Sequence, residues 1–488
     1  MSKLITRVLS LLLALILFAA PAAAIPENGG EQLVLLIEIA SNIHNYALYP
    51  PEDLSLDGVT AGTLKDDPDL FMTLVESWLA PDPYGRFMSR EDYDVAFDAG
   101  PPLYGIGIQV DMSMPLGVYV EAFLPGGGAG LSGMEVGALI VSVDGEDIVD
   151  RPYLEVRPLF LGEWWTTVDV GYINPGSVEV LTETIQRGAL SVDNVQGFMI
   201  DGTDIGYISI SRFGSIADYF DFDHYYHEYL PEMGAKSVII DLRGNPGGQV
   251  DTLYYILNVM LPDEGVLLLE YVDAEGVEPV YSSGWDLDEL ADSGLIFWQP
   301  DDIIVLVNSE SASASEVFAG ALQVHGLAVI VGETTVGKAH SQYHIPLSTD
   351  DVLIVTGNRI DLYEVGTYQG VGIIPDHEVA QGTLTGAELV SHPLDTSRAL
   401  FRQSVLTERI AAVQERLSLL GYYRAEPNGV FDDYMMWCLN RYQAANKLPP
   451  ARFVNAETLK MIDKAAMERK FVADTQMDFA LELLGASY

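Results

Sequence analysis

The sequence predicts a multidomain α+β protein, with a helical lead-in, a small β-rich domain, an α/β core on a largely parallel sheet, and a small α-helical C-terminal domain. Three changes of pattern predict it. Apolar residues recur at helical spacing over residues 31–100, and short alternating runs broken by Gly and Pro follow over 104–186. Strand, turn and helix then alternate over 205–380, before helical patterns return beyond residue 396. A chain of 488 residues is also too long for one compact core.

Taken in order, residues 1–24 read as a secretory signal. Lys3 and Arg7 precede an apolar run over 8–20, and Ala22-Ala23-Ala24 offers small residues for cleavage. The run is shorter than the ~20 residues that span a bilayer, and no later stretch is long and apolar enough to do so. The mature protein is therefore expected to be secreted, or held in the extracytoplasmic envelope of a bacterium, and not to span a membrane. Residues 25–99 form the helical lead-in, with apolar faces over 33–39 and 70–75 and a break at Asp82-Pro83-Tyr84. Residues 100–195 form the β-rich domain, whose runs 105–110, 117–120 and 138–143 are of strand length.

Residues 196–385 form the core. The mostly apolar run 237–242 is a buried strand, 244–248 a glycine-rich turn, and Val250, Leu253, Tyr254 and Leu257 fall on one face of a helix. The unit recurs as strand 302–308, helix 311–325 and strand 327–331, which argues parallel pairing through crossover helices. A linker over 386–403 leads to the helical domain 404–466. Its three patterns carry Ile410, Val413, Leu417 and Leu420, then Met435, Leu439 and Tyr442, then Leu459 and Ile462. Residues 467–488 read as a C-terminal tail whose last residues form a frayed helix.

Charge narrows the partners. With 25 basic and 71 acidic residues the formal charge is −46, and loss of the two signal cations takes it to −48. Such a surface repels phosphate backbones and anionic lipids, so nucleic acid is not an expected partner. Cys438 is the one cysteine, which leaves no intrachain disulfide, thiolate metal site or paired-cysteine redox motif.

In open parallel sheets ligands bind beyond the carboxyl ends of the strands, and three loops leave such ends here: 244–248, 311–315 and 332–342. The first is glycine-rich, so its N–H groups can face an anion. The second places hydroxyls at a helix N-terminus, where the dipole and unpaired N–H groups favour a developing oxyanion. The third carries Lys338. A serine is a weak nucleophile until a base accepts its proton, and a lysine does so only when neutral. At an unperturbed pKa near 10.4, roughly one lysine in a few thousand is uncharged at pH 7, so a depression of ~3 units, about 4 kcal/mol, is required. Burial supplies such shifts. Gln342, four residues on, is placed to orient the amine.

Two other motifs are decoys. Residues 332–338 match the start of a phosphate-binding loop, but Ala339 stands where a hydroxyl would ligate Mg²⁺, and export removes the protein from cytoplasmic nucleotides. His224 and His227, with Asp223 and Glu228 beside them, lack the intervening Glu of zinc proteases. No metal or cofactor is expected. No Gly-x-Ser-x-Gly elbow is present to suggest an esterase-type triad.

Together the pieces resemble the carboxyl-terminal processing peptidases, secreted serine peptidases with an embedded PDZ domain. The matching residues are 241–248, Ser311-Ala312-Ser313-Ala314-Ser315-Glu316, Gly332-Glu333 with Gly337-Lys338 and Gln342, and 370–376. The resemblance implies Ser313 as nucleophile, Lys338, 25 residues on, as base, and Gln342 as its support. It also implies oxyanion donors at the N–H of Ala314 and of Gly247 or Gly248. Asp82-Pro83-Tyr84 with Arg86-Phe87 resembles the family's lead-in, and Tyr104, Gly105, Ile106, Gly107 and Ile108 resemble the carboxylate-binding loop of its PDZ domain. Around the base, Val336-Gly337-Lys338-Ala339 replaces the family's Phe-Gly-Lys-Gly. Residues 404–466 separately resemble a peptidoglycan-binding module, in which Tyr422, Tyr423 and Trp437 are candidates for stacking on sugar or peptide. The implied function is an endopeptidase acting on protein or peptide substrates near their C-termini, regulated by the PDZ domain. The alternative is an inactive PDZ-bearing scaffold of the cell envelope.

Overall fold

The computed structural model describes residues 25–96, 104–111, 117–149, 151–190, 193–261, 264–284, 297–401, 407–449 and 453–486; the expected signal lies outside the described residues. The chain divides into two compact units, residues 1–100 with 193–380 and 476–488, and residues 101–192 with 381–475.

In the first unit a sheet runs in the order Val195–Met199, Ile205–Ile210, Ser237–Asp241, Ile303–Val307, Val329–Gly332, His377–Glu378. The first pair is antiparallel and the others are parallel. Every residue of Ser237–Asp241 is buried, as the apolar run predicts for a strand covered on both faces. Helices Val250–Met260 and Ala314–Val324 cover one face, bringing Leu253, Ile256, Phe318 and Leu322 into a core with Val238, Ile240 and Val305.

Helix Thr475–Leu483 covers the other face, where Ala480 and Leu481 join Ile239, Ile304, Leu306 and Val331. The expected terminal helix is present, but it is docked and not frayed. Only Gln476, Ala480 and Leu481 of that helix are buried, a stripe too narrow for periodicity to reveal. Strand Lys470–Ala473 likewise pairs with Gly382–Thr385 in the second unit. The expected linker is structured too, with helix Gly386–Leu389 and a buried Leu400.

A second sheet in the first unit is antiparallel and was not anticipated. Val352–Leu362 pairs with Arg86–Met88, Glu264–Val272, His340–Pro346 and Gly366–Thr367, and Glu264–Val272 pairs in turn with Val277–Ser283. The interior Thr356-Gly357-Asn358-Arg359 of the long strand breaks any apolar alternation, which hides it from pattern reading. Lead-in helices Gly29–Tyr46 and Leu70–Leu79 pack Leu36, Ile39, Phe71 and Val75 with Leu353 and Val355 of this strand.

The second unit holds the β-rich domain, with strands Ile108–Val110, Val118–Phe123, Leu139–Val143, Thr167–Ile173 and Leu181–Gln186 in one sheet. Helix Tyr153–Phe160 adds Val156 and Phe160 to the core. The same unit holds helices Glu408–Leu419, Asp433–Ala445 and Ala456–Glu468. Each is capped by the side chain before it, Thr407, Asp432 and Asn455, and together they bury the residues that periodicity selected, except Leu420, which is half-buried just past the first helix. Two of the three stacking candidates, Tyr423 and Trp437, are corrected here. Tyr423 is buried and its hydroxyl accepts from Gln414, while Trp437 packs on Tyr119, Leu139, Val141 and Ile173 of the β-rich domain. Tyr422 is half-buried, edge-on to Tyr442.

Candidate active site

The three loops at the strand ends are knitted together by their own backbone. Ala312 N–H donates to Asn245 O (3.0 Å), the Ser311 hydroxyl to Leu242 O (2.8 Å), and Val336 N–H to Ser311 O (3.0 Å). Of the three hydroxyls in the serine run, two are committed. Ser311 and Ser315 are fully buried, and their Oγ atoms donate to the carbonyls of Leu242 and Asn245. Ser313 alone is partly exposed.

Ser313 precedes helix Ala314–Val324 with φ 56° and ψ −115°, a conformation that costs a non-glycine residue roughly 1–3 kcal/mol and persists only where the surroundings impose it. Glu316 is part of what imposes it. Its Oε2 accepts the N–H of Ser313 (2.8 Å) and of Lys338 (2.8 Å), and its Oε1 accepts the N–H of Gly337 (2.6 Å) and the Thr335 hydroxyl. One buried carboxylate thus fixes the backbone of the serine and of the lysine. This also explains the phosphate-loop decoy, since the donors that would cradle a phosphate already hold a carboxylate of the same chain.

The Lys338 side chain is half-buried and donates from Nζ to Gln342 Oε1 (3.1 Å). Gln342 sits in strand His340–Pro346, and not in the expected loop; its Nε2 is buried without a hydrogen-bond partner. Burial holds the amine below the ordinary lysine range, Arg86 adds to that shift, and Glu316 opposes it. Burial and Arg86 therefore shift the amine toward its free base.

Gly247 lies against the serine. A Cβ there would meet Ala312 O at 2.7 Å, Ser313 Cβ at 2.8 Å and Ala314 N at 2.9 Å, and φ is +98°, so glycine is required for the approach. The two expected glycine donors are not equivalent, because Gly247 N–H is taken by Asn245 Oδ1 (2.8 Å). The N–H of Ala314, at the first position of its helix, has no carbonyl one turn back to receive it.

The remaining candidates lie in the second unit. Tyr104-Gly105 pairs with Gly188-Ala189, Ile106 and Ile108 are buried, and the carbonyls of Ile106 and Gly107 accept from Ala129 and Leu124. His227, in the second decoy, commits both ring nitrogens to backbone, Nε2 to Val259 O (2.7 Å) and Nδ1 to Trp298 N–H (3.1 Å).

Sequence reasoning assigns Glu316 no role, although its place three residues after Ser313 is a helix first-turn position, a usual site for a carboxylate that accepts backbone N–H groups.

Residues 204–379 match the profile of Peptidase family S41, and residues 407–462 match that of a peptidoglycan binding domain. The chain is 30% identical over 310 residues to the carboxyl-terminal-processing protease of a Picosynechococcus strain, covering 62% of this chain and 71% of that protein. It is 29% identical over 326 residues to the carboxyl-terminal-processing protease of a Synechocystis strain, covering 65% and 73%. A CtpA-like serine protease of Staphylococcus haemolyticus matches at 25% over 404 residues, covering 81% and 76%.

Proposed function

Because this chain belongs to the carboxyl-terminal-processing proteases, serine peptidases that cut proteins near their C-termini, we propose that Ser313 is its nucleophile and Lys338 its general base. The neutral Lys338 amine takes the Ser313 Oγ proton as that oxygen attacks the scissile carbonyl, and the resulting ammonium returns a proton to the leaving amine. An acyl-enzyme remains, which water, deprotonated by the same amine, then hydrolyses. Gln342 orients the amine. The N–H groups of Ala314 and Gly248 receive the oxyanion, Gly248 in preference to Gly247, whose N–H is occupied. The observation that carries this reading is Glu316, which ties the Ser313 and Lys338 backbones to one carboxylate beside a buried amine.

A free-base lysine sets the sign of the pH dependence. Burial lowers the pKa, and the working form is the deprotonated one, so kcat/KM for unfolded casein rises with pH through that depressed value and then levels. Chelators leave it unchanged. A decline from about pH 6 to 8, or loss of activity in EDTA, contradicts a lysine base, and no hydrolysis at any pH returns the inactive scaffold.

We further propose that the β-rich domain is PDZ-like and regulates access to the site through Tyr104, Gly105, Ile106, Gly107 and Ile108. Its insertion between lead-in and core supports this. The peptidoglycan binding domain is proposed to retain the mature protein at the cell wall, with residues 1–24 as its export signal. Among the described residues no helix is long and apolar enough to cross a membrane. The full mature chain is expected to sediment with purified peptidoglycan, and a peptide with a free C-terminal carboxylate, unlike its amide, to alter the rate of casein hydrolysis. A protein left in the supernatant removes the wall role, and identical effects of acid and amide remove carboxylate recognition.

A further inference from the structure

Lys338 is approached from the lead-in as well as from the core. Its Nζ lies over the ring of Tyr84, 5.3 Å from the centroid, while Gln342 meets the same nitrogen. Tyr84 is held at both ends. Its N–H donates to Asp82 Oδ1 (2.9 Å), and the buried Asp82 accepts the N–H and the hydroxyl of Thr356, both at 2.7 Å. Thr356 is the cross-strand partner of Gln342, so the segment that carries the ring is keyed to the strand position that carries the amine's partner.

At the far end, Gln369 Nε2 donates to the Tyr84 hydroxyl (2.9 Å). The Gln369 Oε1 accepts the N–H of Ala339 (2.8 Å), next to Lys338, and pairs with His340 Nδ1 (2.7 Å), whose Nε2 meets the Tyr49 hydroxyl (2.7 Å). The function assigned above gives the contacts of Tyr84, Asp82 and Gln369 no role.

We propose that Tyr84 is a positioning residue for Lys338: its ring, pinned through Asp82 and Gln369, keeps water off the amine, so that the lead-in completes the site of the base. This rests on the reading of Lys338 as the general base. The ring has two opposed effects. Excluding water penalises the ammonium form, whereas the ring face attracts a cation. Exclusion is taken as the stronger, in keeping with burial as the leading cause that lowers the Lys338 pKa. The charged and titratable groups facing the amine are Arg86, Glu316, His340 and His344, and burial holds both histidines below their usual range, which keeps them neutral near pH 7. Removing the ring therefore changes water access and leaves those charges in place.

The test compares full mature wild type, Tyr84→Ala, Tyr84→Phe and Lys338→Ala on unfolded casein, reading kcat/KM from about pH 6 to 10. Tyr84→Ala moves the rising limb up by about one pH unit, which is roughly tenfold less free base on the limb. Tyr84→Phe, which keeps the ring and its anchor through Asp82 but loses the contact to Gln369, moves the limb up by less than Tyr84→Ala does. A Tyr84→Ala profile lowered equally at every pH makes the ring ordinary packing, and a limb moved to lower pH makes cation attraction dominant; either overturns the proposal. Should circular dichroism show Tyr84→Ala unfolded, Tyr84→Leu carries the same test with a smaller upward shift. Lys338→Ala that still hydrolyses casein brings down the base assignment itself, a result separate from any behaviour of Tyr84.

Discussion

Alanine in place of Lys338 is expected to lower kcat on casein by roughly a million-fold, the order found when nucleophile or base is removed from a serine peptidase, with the far-ultraviolet circular dichroism unchanged. Among the described residues the amine's one direct hydrogen bond is to Gln342, so its loss leaves the fold's backbone contacts intact. Ser313→Ala is expected to cost about as much, and the double variant no more than either single one, since the two groups act in one proton transfer. A Lys338→Ala enzyme within tenfold of wild type would place the base elsewhere.

Glu316→Gln is expected to cost at least a hundredfold in activity and to lower the melting temperature. The carboxylate faces donors only: Ser313 N–H and Lys338 N–H on one oxygen, Gly337 N–H and the Thr335 hydroxyl on the other. An amide places an NH₂ group against one of those pairs. Two buried donors then lose their acceptor, at about 1–3 kcal/mol each, and the group that faces them repels both. The strained Ser313 turn and the base loop lose their common anchor together. Wild-type activity and melting temperature in this variant would show that the serine and lysine are held by other contacts.

Much of this arrangement is legible before any coordinates. The Ser313 to Lys338 spacing and the strand-end placement of their loops lie in local runs, and the buried strands 237–241 and 303–307 read directly because both faces are covered. The role of Glu316 is not legible in the same way, because its partners at 335–338 meet it only across the folded site. Gln342 looks like a loop residue until strand His340–Pro346 is seen paired with Val352–Leu362, whose polar middle conceals it. The docking of helix Thr475–Leu483 escapes because it joins a core laid down more than a hundred residues earlier through two apolar side chains, Ala480 and Leu481. Tyr423 and Trp437 mislead for the opposite reason. Aromatics in a small domain look available for ligand, yet one fills its core and the other the surface shared with the β-rich domain.

That helix also bears on how the enzyme is handled, since a chain ended near residue 396 loses Ala480 and Leu481 from the face formed by Ile239, Ile304, Leu306 and Val331. The full mature chain is the form to assay. The most direct measurement is casein hydrolysis by that chain, wild type beside Ser313→Ala. The account predicts fragments that accumulate with the wild type and none above background with the variant, while both give the same circular dichroism. Fragments released at comparable rates by both would contradict it, and with Ser311 and Ser315 buried and donating to backbone carbonyls, would move the nucleophile out of the serine run altogether.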